Sequence, residues 1–388
     1  MIRLEDRLRD AYQGAAATVT PDNIRGLGEP AAQTATPPVR PGPRWARWLA
    51  PLAAAAAVAA VAILAAILVS PGPPSPKGAS AEPKYLIADV IGARRFEIRD
   101  AATGALVAHL TPPSRPGGSG VDSESVATAD GRHYVMAVYT TRPCRSRLYQ
   151  FQLDDQGQPS AVTPLALPAV SGEVYDLAVS GNGQKIAYAT IACTGESKPP
   201  PPYLAVTNLV TQRTTRWTLP ADSSAGRVSL TADGSRLCYD PAQLGSSVVR
   251  VISANSAPGP AAARGRTVVR AAQFGARRYI SFSVISPDGG AVYFTTYPYP
   301  DGTGSSSGGQ VRVQDLATGR SRVVHVPAGT PGVIVSDPSV RHLLLQFRTK
   351  QRQLNRQPPE LARLDLTTGK VTYLPNGWLG RVGAIITW

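Results

Sequence analysis

Few residues in this chain have types and spacing suited to chemistry. The histidines His109, His133, His325 and His342 fall in different predicted strands and turns. None has a second ligand at metal-binding spacing, so each reads as structural. The run GSSSG at Gly304–Gly308 matches the Gly-x-Ser-x-Gly pattern of a serine nucleophile, which would mean acyl transfer. That chemistry needs the serine on a strand-to-helix turn. Here it sits in YPYPDGTGSSSGGQ, a low-complexity loop with no helix after it. The same glycines make no dinucleotide fingerprint, because Ser307 stands where the third glycine belongs. No catalytic residue, cofactor or metal is expected. Cys144, Cys193 and Cys238 are left, with Asp130, Asp233 and Asp288. Each of these aspartates precedes a glycine, where Asp is chosen for local backbone hydrogen bonds.

The elements that hold these residues are marked by two recurring turns. Asp130-Gly131, Asn182-Gly183, Asp233-Gly234, Asp288-Gly289 and a degraded Asp337-Pro338 form the first series. Their spacing is roughly 50 residues, within the range of propeller blades. The second is DxxTG at Asp100–Gly104, Asp315–Gly319 and Asp365–Gly369, with variants NLVTQ from Asn208 and LDDQG from Leu153. Asp-Gly and Asn-Gly suit tight hairpins because Gly takes positive φ without cost. Between the turns lie alternating runs such as KIAYAT, YLAVTN and VRVQDL, which read as strands.

Each unit is therefore strand, Asp-Gly turn, strand, longer loop, strand, Thr-Gly turn, strand. Such four-stranded blades cannot bury both faces alone and stack around an axis. Five DxxTG-type turns are found and a sixth is expected near Asn255, where SANSAPGPA has drifted. The first unit lacks its first strand, and the chain ends on GAIITW. A terminal strand that completes the first blade removes both free edges. The expected fold is all-β, a six-bladed β-propeller of four-stranded antiparallel blades.

SPDGGAVYF, TADGSRLCY and the paired DxxTG turns resemble TolB-like and related WD-type β-propellers over residues 85–388. The resemblance implies the architecture and, for function, a protein-interaction platform more often than an enzyme. The whole layout also resembles membrane-anchored propeller proteins of actinobacteria. Asn182 for Asp, Pro338 for Gly and the drifted fourth-blade turn depart from the pattern.

The chain has 388 residues, 17% charged, with 36 Gly and 36 Pro, a composition rich in turns. Its net charge of +14 favours acidic partners. No basic helix or zinc knuckle points to nucleic acid. Residues 48–69 carry no charge, and at about 1.5 Å per residue they span a hydrocarbon core of roughly 30 Å. Arg40, Arg44, Arg47, Trp45 and Trp48 on the N-terminal side of this run favour an N-terminus inside and a C-terminus outside. Residues 1–47 are expected to be a cytoplasmic tail, an amphipathic helix followed by a Pro/Ala-rich linker. A single-pass transmembrane helix at 48–69, a Pro-rich spacer at 70–84 and the propeller at 85–388 follow. A cleaved signal peptide ending at Ala79–Ala81 is the alternative, but the apolar run exceeds the usual h-region.

Cys144 and Cys193 follow the second strands of adjacent units, so they can form a disulfide in an oxidising compartment. Cys238 reads as a buried core residue. The central loops, TTRPCRSR, CTGESKPPPPY, YPYPDGTGSSSGG and RTKQRQLNRQPPE, open on one side and are expected to be long. Long loops on a rigid scaffold are where binding usually lives. Arg142, Arg145 and Arg147 of blade two, Arg348, Lys350, Arg352 and Arg356 of blade six, and Arg94 and Arg95 of blade one form a candidate basic arc. The expected function is a membrane-anchored, extracytoplasmic, non-catalytic binding scaffold for a protein or an anionic envelope polymer. A signalling protein with a cytoplasmic docking helix is the second reading. A propeller hydrolase or lactonase is the third, and it would need a ring of carboxylates or histidines at the axis.

Overall fold

The computed structural model describes residues 84–90, 95–113, 126–128, 131–141, 143–193, 200–221, 224–242, 248–275, 277–298, 309–325, 330–337, 340–348, 360–375 and 382–387. The expected tail helix, membrane span and spacer lie outside them. No helix of the described residues is long and apolar enough to cross a membrane.

Six antiparallel sheets follow one another along the chain. Blade one joins Val382–Thr387 to Tyr85–Val90, Phe96–Asp100 and Leu106–Leu110. Blade two is Val126–Thr128, His133–Thr141, Cys144–Gln152 and Thr163–Pro164. Blade three is Glu173–Val179, Lys185–Ile191, Tyr203–Asn208 and Thr214–Thr218. Blade four is Ser224–Leu230, Arg236–Ala242, Val248–Ser253 and Arg266–Arg270. Blade five is Arg278–Ile285, Ala291–Pro298, Gln310–Asp315 and Ser321–His325. Blade six is Thr330–Ser336, His342–Arg348, Glu360–Asp365 and Val371–Leu374. The first strands of blades two, three, four and five touch in sequence, and that of blade one touches those of blades two and six, so these strands line the axis.

The first turn is built by a hydroxyl two residues before the Asp or Asn. Ser180, Thr231 and Ser286 bond Asn182, Asp233 and Asp288 at 2.7, 2.7 and 2.5 Å. The same hydroxyls accept the backbone N–H of Lys185, Arg236 and Ala291 on the second strand. Neighbouring turns are then tied together. Asn182 N donates to Ala232 O and Ala232 N to Pro287 O. Lys185 Nζ and Arg236 Nη1 each reach the carbonyl of the next blade's glycine, Gly234 and Gly289.

Blade six corrects the expected register of this motif. Asp337 does not take the place of the other turn aspartates. It occupies the hydroxyl position, because its N–H bonds His342 O as Thr231 N bonds Arg236 O. Its carboxylate accepts Arg341 N at 2.9 Å and meets His342 Nδ1 at 2.9 Å. Val340, not Pro338, stands where the other blades have glycine, at φ 50°.

In the second turn one carboxylate oxygen caps a closed loop. Asp315 Oδ1 accepts the N–H of Ala317 and Thr318, and Asp100 and Asp365 repeat the arrangement. Asn208 does the same for Val210 and Thr211, which forces Gln212 to φ 57° in the glycine position. Blade four has no such turn. Residues after Ser253 cross to blade three, where Gly259–Pro260 pairs in parallel with Trp217 and Thr218. The buried Trp217 indole donates to Ser256 Oγ and Ala257 O, which holds the excursion in place. Pro258 and Pro260 lack an N–H and keep that segment out of the blade-four sheet.

Closure is as expected. Val382–Thr387 pairs antiparallel with Tyr85–Val90. The core is divided into six apolar wedges, one at each blade boundary. Between blades one and two, for example, Ile87, Phe96 and Ile98 pack on Tyr134, Met136 and Phe151.

Candidate functional site

The first strands run from the central-loop side of the ring to the Asp-Gly side. Near its start, each of those in blades three to six carries a β-bulge. The register slips at Tyr175, at Gly226 and Arg227, at Ser281, and at Gly332 and Val333. A bulge re-aims a side chain and often lies beside a functional site. Tyr175 is 47% exposed although it sits on an axial strand, and Ser281 is exposed too.

Two buried carboxylates hold the blade-four bulge. Asp240 Oδ1 accepts Arg227 N at 2.9 Å, and its Oδ2 accepts Ser283 Oγ of blade five at 3.2 Å. Asp176 of blade three accepts Val228 N at 2.5 Å and pairs with Arg227 Nη1 at 3.1 Å. Gly226 is required here, since a Cβ would collide with Asp240 Oδ1. Burial pushes Asp240 up to about 7, against the opposing pull of the Arg227 amide and the Ser283 hydroxyl. Burial also raises Asp176 and outweighs the Arg227 charge. Cys238, between these blades, is a buried free thiol pushed up to about 12 by burial, as expected for a core residue. The turn aspartates behave oppositely. The Thr231 hydroxyl holds Asp233 down to about 2, as a local hydrogen-bonding residue should be.

The expected basic arc is placed only in part. Arg95 is exposed just before the third strand of blade one. Arg145 and Arg147 are exposed, but on the third strand of blade two rather than in a loop. Thr141 pairs with Cys144, so the supposed long loop is a two-residue turn. Cys144, Ser146 and Leu148 turn inward, and the arginines between them turn outward. Arg348 closes the second strand of blade six. Arg94, Arg142, Lys350, Arg352 and Arg356 lie outside the described residues, as do Asp130 and the Gly304–Gly308 run. Topology sets Arg95, Arg145 and Arg348 beside the central connections of three adjacent blades.

The cysteines are brought together. Cys144 and Cys193 form a disulfide between blades two and three, with Cα atoms 5.7 Å apart and Tyr139 packed against it. Sequence reasoning missed the Asp176–Arg227–Asp240 cluster. Its signal was available: VYDLAV and LCYD each set a carboxylate inside an apolar strand, and a buried carboxylate demands partners.

Six sheets, closed by the last strand and stacked about one axis, define a six-bladed β-propeller. In fold it is similar to TolB. TolB from Acinetobacter baumannii is similar in fold, with a TM-score of 0.50 and 15% identity over 77% of this chain. This chain spans 64% of the length of that protein. A putative TolB from Agrobacterium tumefaciens gives a TM-score of 0.48 and 12% identity, covering 78% of this chain and 92% of that one. Hydrazine synthase from Kuenenia stuttgartiensis gives 0.44 and 14%, covering 76% and 80%. No known family profile and no curated protein sequence matches the chain.

Proposed function

We propose that this protein is a non-catalytic binding platform, anchored by residues 48–69 with its propeller on the outer side of the membrane. The observation that carries this reading is the Cys144–Cys193 bond. A disulfide that clamps two blades persists in an oxidising compartment and is rare in the cytosol. The uncharged run and the arginines before it support the same orientation. The partner is an anionic polymer or acidic protein face of the envelope, met by the end of the ring that carries Arg95, Arg145 and Arg147. Like charges gathered on one rigid surface raise the local concentration of such a partner.

Protease added to spheroplasts is expected to release a soluble propeller starting within residues 71–82. Cleavage confined to the first 45 residues would reverse the orientation. Binding of the purified protein to anionic envelope polymer should fall steeply with salt, because exposed charges are screened within about 8 Å at physiological ionic strength. Binding that ignores both salt and the Arg145→Glu, Arg147→Glu change would remove this surface from the reading.

A further inference from the structure

Charge is spread unevenly over the outer halves of the blades. Residues 248–270 and 310–325 are the third and fourth strands of blades four and five with the segments that join them. They carry seven arginines and one carboxylate, Asp315. The matching stretches of the other four blades are residues 96–110, 144–164, 203–218 and 360–374, and they carry seven Lys or Arg against six Asp or Glu. Blades four and five are neighbours whose strands touch, so the excess lies on one side of the ring. Asp315 is committed to its own turn, where Oδ1 accepts the N–H groups of Ala317 and Thr318.

Most of these arginines are outside and unengaged. Arg264, Arg266, Arg270, Arg320 and Arg322 are exposed. Arg266 and Arg270 lie on the outer strand of blade four and Arg322 on that of blade five, while Arg264 and Arg320 stand just before those strands. Among the described residues none of the five guanidinium groups has an ion pair or a hydrogen-bond acceptor. Two arginines look into the boundary itself. Arg266 pairs with Val251, and Arg312 with Phe294, and both of those partners pack into the apolar wedge of blades four and five. Directly paired residues share a face of the sheet, so the two arginines approach the wedge from opposite walls. Arg312 is half-buried there, with the Phe274 ring centre 4.2 Å from its guanidinium. Its Nη1 donates to Gln310 Oε1 at 2.5 Å, its Nε is shut off from solvent without an acceptor, and it forms no ion pair. A guanidinium drawn out of water in this way is short of an anion.

We propose that the outer wall of blades four and five binds a flexible polyanion, a chain that carries phosphate or carboxylate groups along its length. All seven cations are arginines, whose planar fork suits both oxyanions. The shape selects a chain over a flat layer of headgroups. Blades fan apart from the axis, so a flat layer meets their outer strands only at the crests, whereas a chain follows the wall and dips into the wedge towards Arg312. Gln310 and the Phe274 ring set the plane of that guanidinium in advance. The site rests neither on membrane orientation nor on the basic surface of blades one and two.

The test uses the full-length protein in detergent, titrated with fluorescently labelled inorganic polyphosphate and separately with labelled poly-L-glutamate. One polymer or both should bind, and the one that binds names the oxyanion. Affinity should fall steeply with salt, because exposed charges are screened within about 8 Å at physiological ionic strength. The combined change Arg264→Glu, Arg266→Glu, Arg320→Glu and Arg322→Glu should weaken binding at least ten-fold. Its melting temperature should stay near that of wild type, since exposed side chains without partners contribute little to folding. Arg312→Gln should weaken binding as well, and Arg312→Lys, which keeps the charge but loses the fork, should fall between. The Lys variant guards against a folding defect in the Gln variant. Arg145→Glu with Arg147→Glu reads the other basic surface separately. If that pair abolishes binding and the four-fold change does not, this proposal is overturned and the earlier reading stands. If only the four-fold change abolishes it, the wall of blades four and five is the site. Failure of both polymers to bind, or binding indifferent to salt, would also overturn it.

Discussion

Asp176 and Arg227 join blades three and four from opposite sides of one boundary, 3.1 Å apart. The ion pair is the lesser part of the link. Arg227 is over a third exposed, and such pairs contribute little. The stronger term is the bond from Val228 N–H to the same carboxylate, in a place closed to water. Asp176→Ala leaves that donor without a partner, at about 1–3 kcal/mol. Asp176→Asn keeps an oxygen there. The denaturation midpoint should therefore fall much further for Asp176→Ala than for Arg227→Ala, with Asp176→Asn close to wild type. Equal losses for the first two would mean that the ion pair, not the amide, holds the bulge.

Asp240 sets a pH dependence of defined sign. Its carboxyl is pushed up to about 7 in the folded state by burial, against about 3.9 unfolded. The folded protein thus holds a proton that the unfolded chain has already lost. Stability from this group is full below pH 4 and is lost as pH rises to 7, with a limiting slope of about 1.4 kcal/mol per unit. Asp176 is raised in the same direction and adds to the trend. Unfolding midpoints from pH 4.5 to 7.5 should decline in the wild type and decline less in Asp240→Asn. Parallel profiles would show that Asp240 is ionised throughout.

The turns were legible in the sequence because their chemistry is local. An Asp, a Gly and the strands beside them suffice to specify a hairpin, and the spacing then counts the blades. Asp337 was assigned to the wrong turn position because an Asp can act as the turn acceptor or stand in for the Ser/Thr hydroxyl. Only the pairing of Asp337 with His342 distinguishes these roles. TTRPCRSR reads as a central loop, yet CRSRL within it already alternates as a strand does, which is where Arg145 and Arg147 stand. The Asp176–Arg227–Asp240 cluster is harder. It joins side chains from strands far apart in sequence, and no local pattern encodes that meeting.

The disulfide closes a loop with a sequence separation of 49. Chain entropy assigns such a loop roughly 4 kcal/mol. Cys144→Ser with Cys193→Ser should lower stability by up to that amount, and reductant should have the same effect on wild type. Thiol counting without reductant should find one thiol, Cys238, and only after denaturation. Three thiols would remove the bond.

Gln212 offers a stabilising change. It is exposed and held at φ 57°, in the place that glycine fills in the turns closed by Gly104, Gly319 and Gly369. A left-handed conformation costs a non-glycine residue about 1–2 kcal/mol. Glycine adds roughly 0.5–1 kcal/mol of chain entropy on folding. Gln212→Gly should therefore gain about 0.5–1 kcal/mol, read as a melting temperature higher by a degree or two. A lower melting temperature would mean that the strain is relieved elsewhere.

Ring closure rests on six residues. Val382–Thr387 is the axial strand of blade one, and its partner Tyr85–Val90 includes the buried Leu86, Ile87 and Ala88. Deleting residues 382–388 leaves a row of unpaired N–H and C=O groups on Tyr85–Val90. An open edge beside buried apolar residues is a template for pairing with another copy. The deletion also removes the strand that touches the axial strands of blades two and six, so both boundaries of blade one lose their inner seal. The truncated protein should aggregate or lose its cooperative melt. Adding back a synthetic peptide of residues 380–388 should restore part of the transition, because the vacant edge specifies its register. If the truncated chain is monomeric with an unchanged melting temperature, blade one is complete without its last strand and the ring is held shut by the apolar wedges alone.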